Sequence, residues 1–304
     1  MALIQSGIES ASAPRIGALE AGGTKMVLAV GTADGEIMER AEIPTTLPEE
    51  CVPHMIGWFH ARKVDALGVG AFGPTRVNPE AADFGYVLDT PKPGWKGYDF
   101  YGELKKGLDV PIGYDTDVNV ACLGEARFGA AQGLTHVVYI TVGTGIGAGV
   151  LVDGKLLHGL LHPEAGHMLV ARQPEDELQS VCPYHLSCLE GLASGPAIEA
   201  RWGEPANALA DRVEVWELES DYLAQAIANY VLCYSPQRIV LGGGVMKQSQ
   251  LFPLVRAKAL KNLNGYISTN DLGSMESYII EAGCGGNQGI LGCLELGRRV
   301  LCRS

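Results

Sequence analysis

The chain has no apolar run approaching the ~20 residues that span a bilayer, and Met1 to Pro14 shows neither a basic start nor a sustained hydrophobic stretch. Membrane insertion and export are therefore not expected, and the sequence reads as that of a cytoplasmic protein. Positive charge is also scarce: 23 Lys and Arg stand against 35 Asp and Glu, a formal net charge of -12. Binding to phosphate polymers needs clustered cations, so nucleic acid is not an expected partner. Nor do the cysteines frame a small disulfide scaffold. Of the eight, Cys51, Cys122, Cys233, Cys284, Cys293 and Cys302 are dispersed through apparently regular segments, as in a reduced protein. With 304 residues and an apolar share of 47%, the chain is long enough for two domains with their own cores.

The other two cysteines belong to the stretch from His162 to Glu190. His167, Cys182, His185 and Cys188 make a two-Cys, two-His set, three of them spaced C-x2-H-x2-C, which is the ligand mix of a structural tetrahedral Zn²⁺ site. Core thiols with surface histidines are the alternative, yet helix or strand packing gives no reason for that spacing. Glu164 precedes the first candidate ligand by three residues and Glu190 follows the last by two, so closing a metal loop fixes the backbone that carries both acids. Together with the free edge of His167, they form a set of acceptors and a donor suited to a polyol, to which Asn119 adds an amide.

Glycine, with 40 copies, is in excess of ordinary usage and is clustered. The clusters are Gly22-Gly23, Gly143 to Gly149, Gly242-Gly243-Gly244 and Gly283 to Gly286, each after an apolar β-type run, which marks them as built turns. Ile16 to Ile37 reads as strand, Gly-rich turn, strand, turn at Asp34-Gly35, strand, and Val137 to Leu157 repeats that order with its second turn at Asp153-Gly154. The pattern predicts an internal duplication. Gly22, Gly23, Thr24 and Lys25 in the first copy, and Thr144 and Gly145 in the second, can expose backbone N-H groups to phosphate. A plain hairpin turn is the alternative for either copy taken alone, and the first lacks the spacing of the Walker loop. Lys25 either reaches a phosphate or is solvated. Glu20, just before the first turn, is a candidate for Mg²⁺, and Gly243 and Gly244 allow close backbone approach to a ring or ribose.

Helices are predicted at Glu49 to Arg62, at about Val215 to Tyr234, from near Val120, and at Asn287 to Cys302; periodicity does not say which unit the last joins. Between the two copies lies Tyr114-Asp115-Thr116-Asp117-Val118-Asn119. Phosphoryl transfer to an alcohol requires a carboxylate near the hydroxyl proton. Asp117 and Asp115 both suit that role, either also suits a helix N-cap, and spacing does not choose between them.

These residues resemble the sugar-kinase branch of the ROK (repressor, open reading frame, kinase) family, over nearly the whole chain from Gly17 to the C-terminal helix. Glu20 to Lys25, Thr141 to Gly149 and Leu241 to Val245 resemble its two phosphate motifs and its adenosine motif. The Glu-Ala-Gly-Gly-Thr-Lys start, Thr90 to Trp95, and Cys182 to His185 through Cys188 to Gly191 resemble the ROK fructokinases. The resemblance implies an α/β fold of duplicated actin/hexokinase-like (ribonuclease H-like) domains with an interdomain cleft. The expected division is a small domain of residues 1–118 plus the helix at about 288–304, and a large domain of 119–287 with the zinc loop. Asp117 is implied as general base, Glu164, His167 and Glu190 as sugar contacts, with Asn119 following the base in the motif, and His167, Cys182, His185 and Cys188 as zinc ligands. The resemblance further implies that ATP with Mg²⁺ phosphorylates a hexose at its 6-hydroxyl, D-fructose foremost, and that the enzyme is a homodimer. His185 stands where many relatives have Cys, which favours the fructokinase group, and Glu20 stands where Asp is common. Kinases for mannose, glucose or an N-acetylated hexosamine are the nearest alternatives. A sugar-responsive regulator is another, but the roughly fifteen residues before the first strand are too few for a DNA-binding module.

Overall fold

The computed structural model describes residues 13–303 apart from 268, 271, 273 and 274. The apolar runs around the first Gly-rich turn form β1 (Ile16–Ala21) and β2 (Lys25–Gly31), and the Asp34-Gly35 turn leads into β3 (Ile37–Pro44). There follow α1 (Pro48–Ala61), β4 (Ala66–Ala71), α2 (Phe100–Leu108), β5 (Ile112–Thr116) and α3 (Asp117–Phe128). The first sheet has the order β3-β2-β1-β4-β5, with β1 antiparallel to β2 and parallel to β4, and β4 parallel to β5. The second Gly-rich turn joins β6 (Val137–Val142) to β7 (Ile146–Val152), which runs on to β8 (Lys155–Leu156). After α4 (Leu189–Ala193), α5 (Gly195–Trp202) and α6 (Val213–Tyr234) come β9 (Arg238–Gly242), α7 (Leu251–Leu263), β10 (Ile279–Glu281) and α8 (Gln288–Leu301).

The second sheet has the order β10-β9-β6-β7-β8, with β6 antiparallel to β7 and parallel to β9. Read from β8, it repeats the first sheet strand for strand. The duplication expected from the two hairpins is therefore a duplication of whole sheets. Strands covered on both faces are apolar throughout, as in β4, where all six residues are buried. On α6 Val215, Tyr222, Leu223, Ala226, Ile227, Tyr230 and Val231, at i, i+3, i+4 spacing, are buried in the core of the second sheet, and Leu218 of the same face packs partly buried against it.

The C-terminal helix α8 returns to the first sheet, packing on β1, β4 and β5, and lies along α3. α3 in turn touches β4 and β5 of one sheet and β6 and β7 of the other. It starts three residues earlier than the sequence pattern places it, at Asp117. Neither aspartate is its N-cap: Thr116 Oγ1 accepts the Asn119 N-H at 3.2 Å, which leaves Asp117 in the first turn, where the helix dipole favours an acid. Among the described residues no helix is long and apolar enough to cross a membrane. In register, Glu20 of β1 lies beside Gly70 of β4 and Gly70 beside Asp115 of β5, so these acids gather at the carboxyl ends of the parallel strands, where open α/β sheets bind ligands.

Candidate active site

A cavity of about 640 Å³ opens at those strand ends, lined by Thr116, Asp117, the second Gly-rich turn with Thr144 and Gly145, and Glu164, His167, His185 and Glu190. It separates the two aspartates. Asp115 is buried behind the wall: its Oδ1 accepts from the Thr116 N-H at 2.9 Å and from Asn119 Nδ2 at 2.6 Å, and its Oδ2 lies 2.8 Å from His158 Nε2. That hydrogen bond holds His158 above the usual imidazole range. Asp117 faces the cavity with one oxygen, Oδ1, taken by the Val118 N-H at 2.8 Å. Burial pushes its carboxyl up to about 6, and the neighbouring Glu20 and Glu164 carboxylates add to the rise. An acid so poised can take a proton near neutral pH.

Asn119 is the sequence-predicted sugar contact that the structure places away from the others. It is 0% exposed, does not line the cavity, and braces Asp115 with its amide. Two residues of helix, about 200° of rotation, separate it from Asp117, which turns it away from the cavity and toward the core.

Glu190 is tied to the second phosphate-type turn, its Oε2 accepting the Ile146 N-H at 2.9 Å. A Cβ at Gly145 would stand 2.8 Å from that same oxygen, so glycine is needed there for the carboxylate to approach. Glu164 is paired with His162, Oε1 to Nε2 at 2.7 Å. His162, Gly73, Pro74, Asp89 and Tyr184 also line the cavity and were not foreseen. For His162 the one available signal was its place two residues before Glu164.

His167 bridges the two chemistries. Its Nδ1 lies 3.8 Å from Cys182 Sγ and 3.7 Å from Cys188 Sγ, while its Nε2 lies 3.9 Å from Glu190 Oε1 on the cavity side. Cys182 Sγ and His185 Nδ1 are 3.5 Å apart, and one ligand atom from each of the four residues falls within 4.8 Å of the others. Zn-S bonds of about 2.3 Å and Zn-N bonds of about 2.05 Å at tetrahedral angles require S···N edges of about 3.6 Å. The set therefore fits zinc in both donor chemistry and spacing.

The glycine turns divide between two places. Thr144 and Gly145 line the main cavity, whereas Gly243 lines a second one of about 280 Å³, with Gly242, Met246, Lys247, Glu281, Gly285, Gly286 and Gln288. Gly244 N is 3.8 Å from where a Gly143 Cβ would be, so the two turns abut. Gly22, Gly23, Thr24 and Lys25 line neither of these two cavities. The Thr24 carbonyl accepts from Thr45 N at 3.0 Å, and Lys25 Nζ is held by Glu42 Oε2 at 2.8 Å.

The profile of the ROK family matches residues 16–300. A putative fructokinase of Bacillus subtilis (strain 168) is 47% identical, covering 94% of this chain and 96% of that protein. The fructokinase of Pediococcus pentosaceus is 44% identical, over 94% and 98% respectively. Among solved structures, the ROK hexokinase from Thermus thermophilus superposes with a TM-score of 0.76 at 24% identity, covering 95% of this chain and 100% of that one. The paired sheets, the strand-end cavity between them and matches that run almost from end to end all lead to one assignment: the chain belongs to the ROK family.

Proposed function

We propose that the protein is an ATP-dependent hexose kinase whose preferred substrate is D-fructose, converted to fructose 6-phosphate. The observation that carries this reading is the position of Asp117, a cavity-facing carboxylate at a helix N-terminus, beside the Thr144-Gly145 turn and opposite the sugar-type acceptors Glu164 and Glu190. As the sugar's 6-oxygen attacks the γ-phosphorus, its proton passes to the free Oδ2 of Asp117, and the bond from the γ-phosphorus to the β-γ bridging oxygen breaks to release ADP. Glu164, His167 and Glu190 hold the sugar hydroxyls, the abutting turns at Thr144 and Gly243-Gly244 hold the nucleotide, and the Gly22 to Lys25 turn meets its phosphates. The choice of fructose rests on the relatives that bear that name at 44–47% identity.

Zinc at His167, Cys182, His185 and Cys188 would be structural, fixing the loop that presents Glu190. Mg²⁺ would neutralise the phosphate oxygens, with Glu20 the acid placed to hold it: among the described residues no group hydrogen-bonds its carboxylate, and burial raises that carboxyl above the usual range. The enzyme is read as a cytoplasmic homodimer. Supporting a subunit contact, Leu160 and Leu186 are 91% and 87% exposed on the two loops beside the metal site.

The test is a coupled ADP-release assay with Mg-ATP against fructose, mannose, glucose and N-acetylmannosamine, before and after chelator treatment. Fructose-dependent turnover that falls with zinc removal is expected. Turnover with another hexose only would overturn the substrate, and silence with every sugar would overturn the enzyme.

A further inference from the structure

The lining of the main cavity includes Asp89, Asp117, Glu164 and Glu190 but neither Lys nor Arg, yet a nucleotide brings a polyanionic tail to it. Lys25, the cation that the sequence offers beside the first turn, is paired with Glu42, which Arg40 shares. A different lysine arrives at that turn from another segment. Lys92 donates its ammonium to the carbonyl oxygen of Gly23, and among the described residues it has no carboxylate partner.

The approach is structurally prepared. A Cβ at Gly23 would stand 2.8 Å from Lys92 Cε and 2.9 Å from its Nζ, so the glycine is what admits the amine. Behind Lys92, the segment is anchored by Trp95, which is 1% exposed, donates Nε1-H to the Thr46 carbonyl at 2.9 Å, and meets Phe72 edge-on at 5.3 Å between centroids. The Lys92 ammonium lies 5.6 Å from the Phe72 centroid, within cation-π range. Thr90 to Trp95, which stood out in the sequence without any assigned task, is thus a braced arm that delivers to the tip of the β1–β2 turn a cation with no carboxylate partner among the described residues.

We propose that Lys92 is the phosphate-binding cation of this site: its ammonium exchanges the Gly23 carbonyl for terminal phosphate oxygens of the bound nucleotide. It stays protonated and makes no covalent bond, and its work is to offset charge on the transferring phosphoryl group. The inference rests on the reading of the first turn as a nucleotide phosphate site. The competing role is a strut that merely pins the turn, and a strut serves all ligands alike.

The experiment is titration calorimetry of Mg-AMP-PNP, AMP and fructose on the Asp117→Asn protein, with and without Lys92→Met or Lys92→Arg, alongside turnover of the same lysine variants with Asp117 intact. Lys92→Met is expected to weaken AMP-PNP and lower kcat/KM for ATP by about 100-fold, as for loss of a transition-state donor. AMP and fructose should stay within about twofold, and Lys92→Arg should recover most of the loss through its retained charge. Unchanged AMP-PNP affinity in Lys92→Met would overturn the proposal, as would equal losses for all three ligands with a lowered Tm. Should the parent protein phosphorylate no hexose while Lys92→Met still selectively loses AMP-PNP, the kinase reading fails and the role of Lys92 stands. A parent protein that binds no AMP-PNP removes both.

Discussion

Asp115 and Asp117 lie two positions apart and have opposite circumstances. Asp115 is enclosed by Thr116, Asn119 and His158, whereas Asp117 lines the cavity and, among the described residues, only its Oδ1 accepts a hydrogen bond. The isosteric Asp117→Asn should lower kcat by about 10²- to 10⁴-fold, the usual share of general base catalysis, with the fold and the fructose affinity retained. Near-parental turnover of a folded variant would refute the mechanism. A second expectation concerns pH. The Asp117 carboxyl is raised to about 6, so the active carboxylate is present above that pH and is lost to protonation below it. kcat should fall about tenfold per pH unit on the acid side, and the residual activity of Asp117→Asn should lack that limb. At this scale the sequence was ambiguous for a physical reason. Side-chain type and spacing were the same for both acids, and only β5's burial and the helix start at Asp117 distinguish them. Lys92 was hidden because its partner, the Gly23 turn, comes from a distant segment, and His162 because only the assembled cavity shows that it lies in the wall beside Glu164.

The metal loop shows what an element adds. The C-x2-H-x2-C spacing made three of the four proposed ligands legible, since a local loop can close on an ion with little help from the rest of the fold. The sequence did not reveal that His167 would direct Nδ1 to the thiols and Nε2 toward Glu190. Cys182→Ser should therefore lose zinc, measured by elemental analysis, together with at least about tenfold in fructose affinity, the scale of effects transmitted through a metal's supporting contacts. The nucleotide affinity should hold. A variant with full zinc content and unaltered KM for fructose would contradict the structural role. Helix starts were the least legible elements. For α3 the capping group is Thr116, and its two acidic neighbours competed for that assignment on sequence alone.

For the whole molecule, the duplicated hairpins foretold the two matching sheets, but not how they are joined. That depends on α8 crossing back to the first sheet and on its close passage along α3. A Cβ at Gly292 would overlap the Val120 carbonyl oxygen, so Gly292→Ala should force the helices apart and cost about 1–3 kcal/mol, as overpacking does. Urea unfolding should show a lower midpoint, and an unchanged midpoint would show that the crossing yields at no cost. A different consequence of the proposed function follows from the single imidazole of His167, which faces both the proposed zinc site and the proposed sugar wall. A cell short of zinc would leave the nucleotide end of this protein intact and blunt its capture of sugar. Trace-metal nutrition would thereby act as a throttle on the flow of carbon.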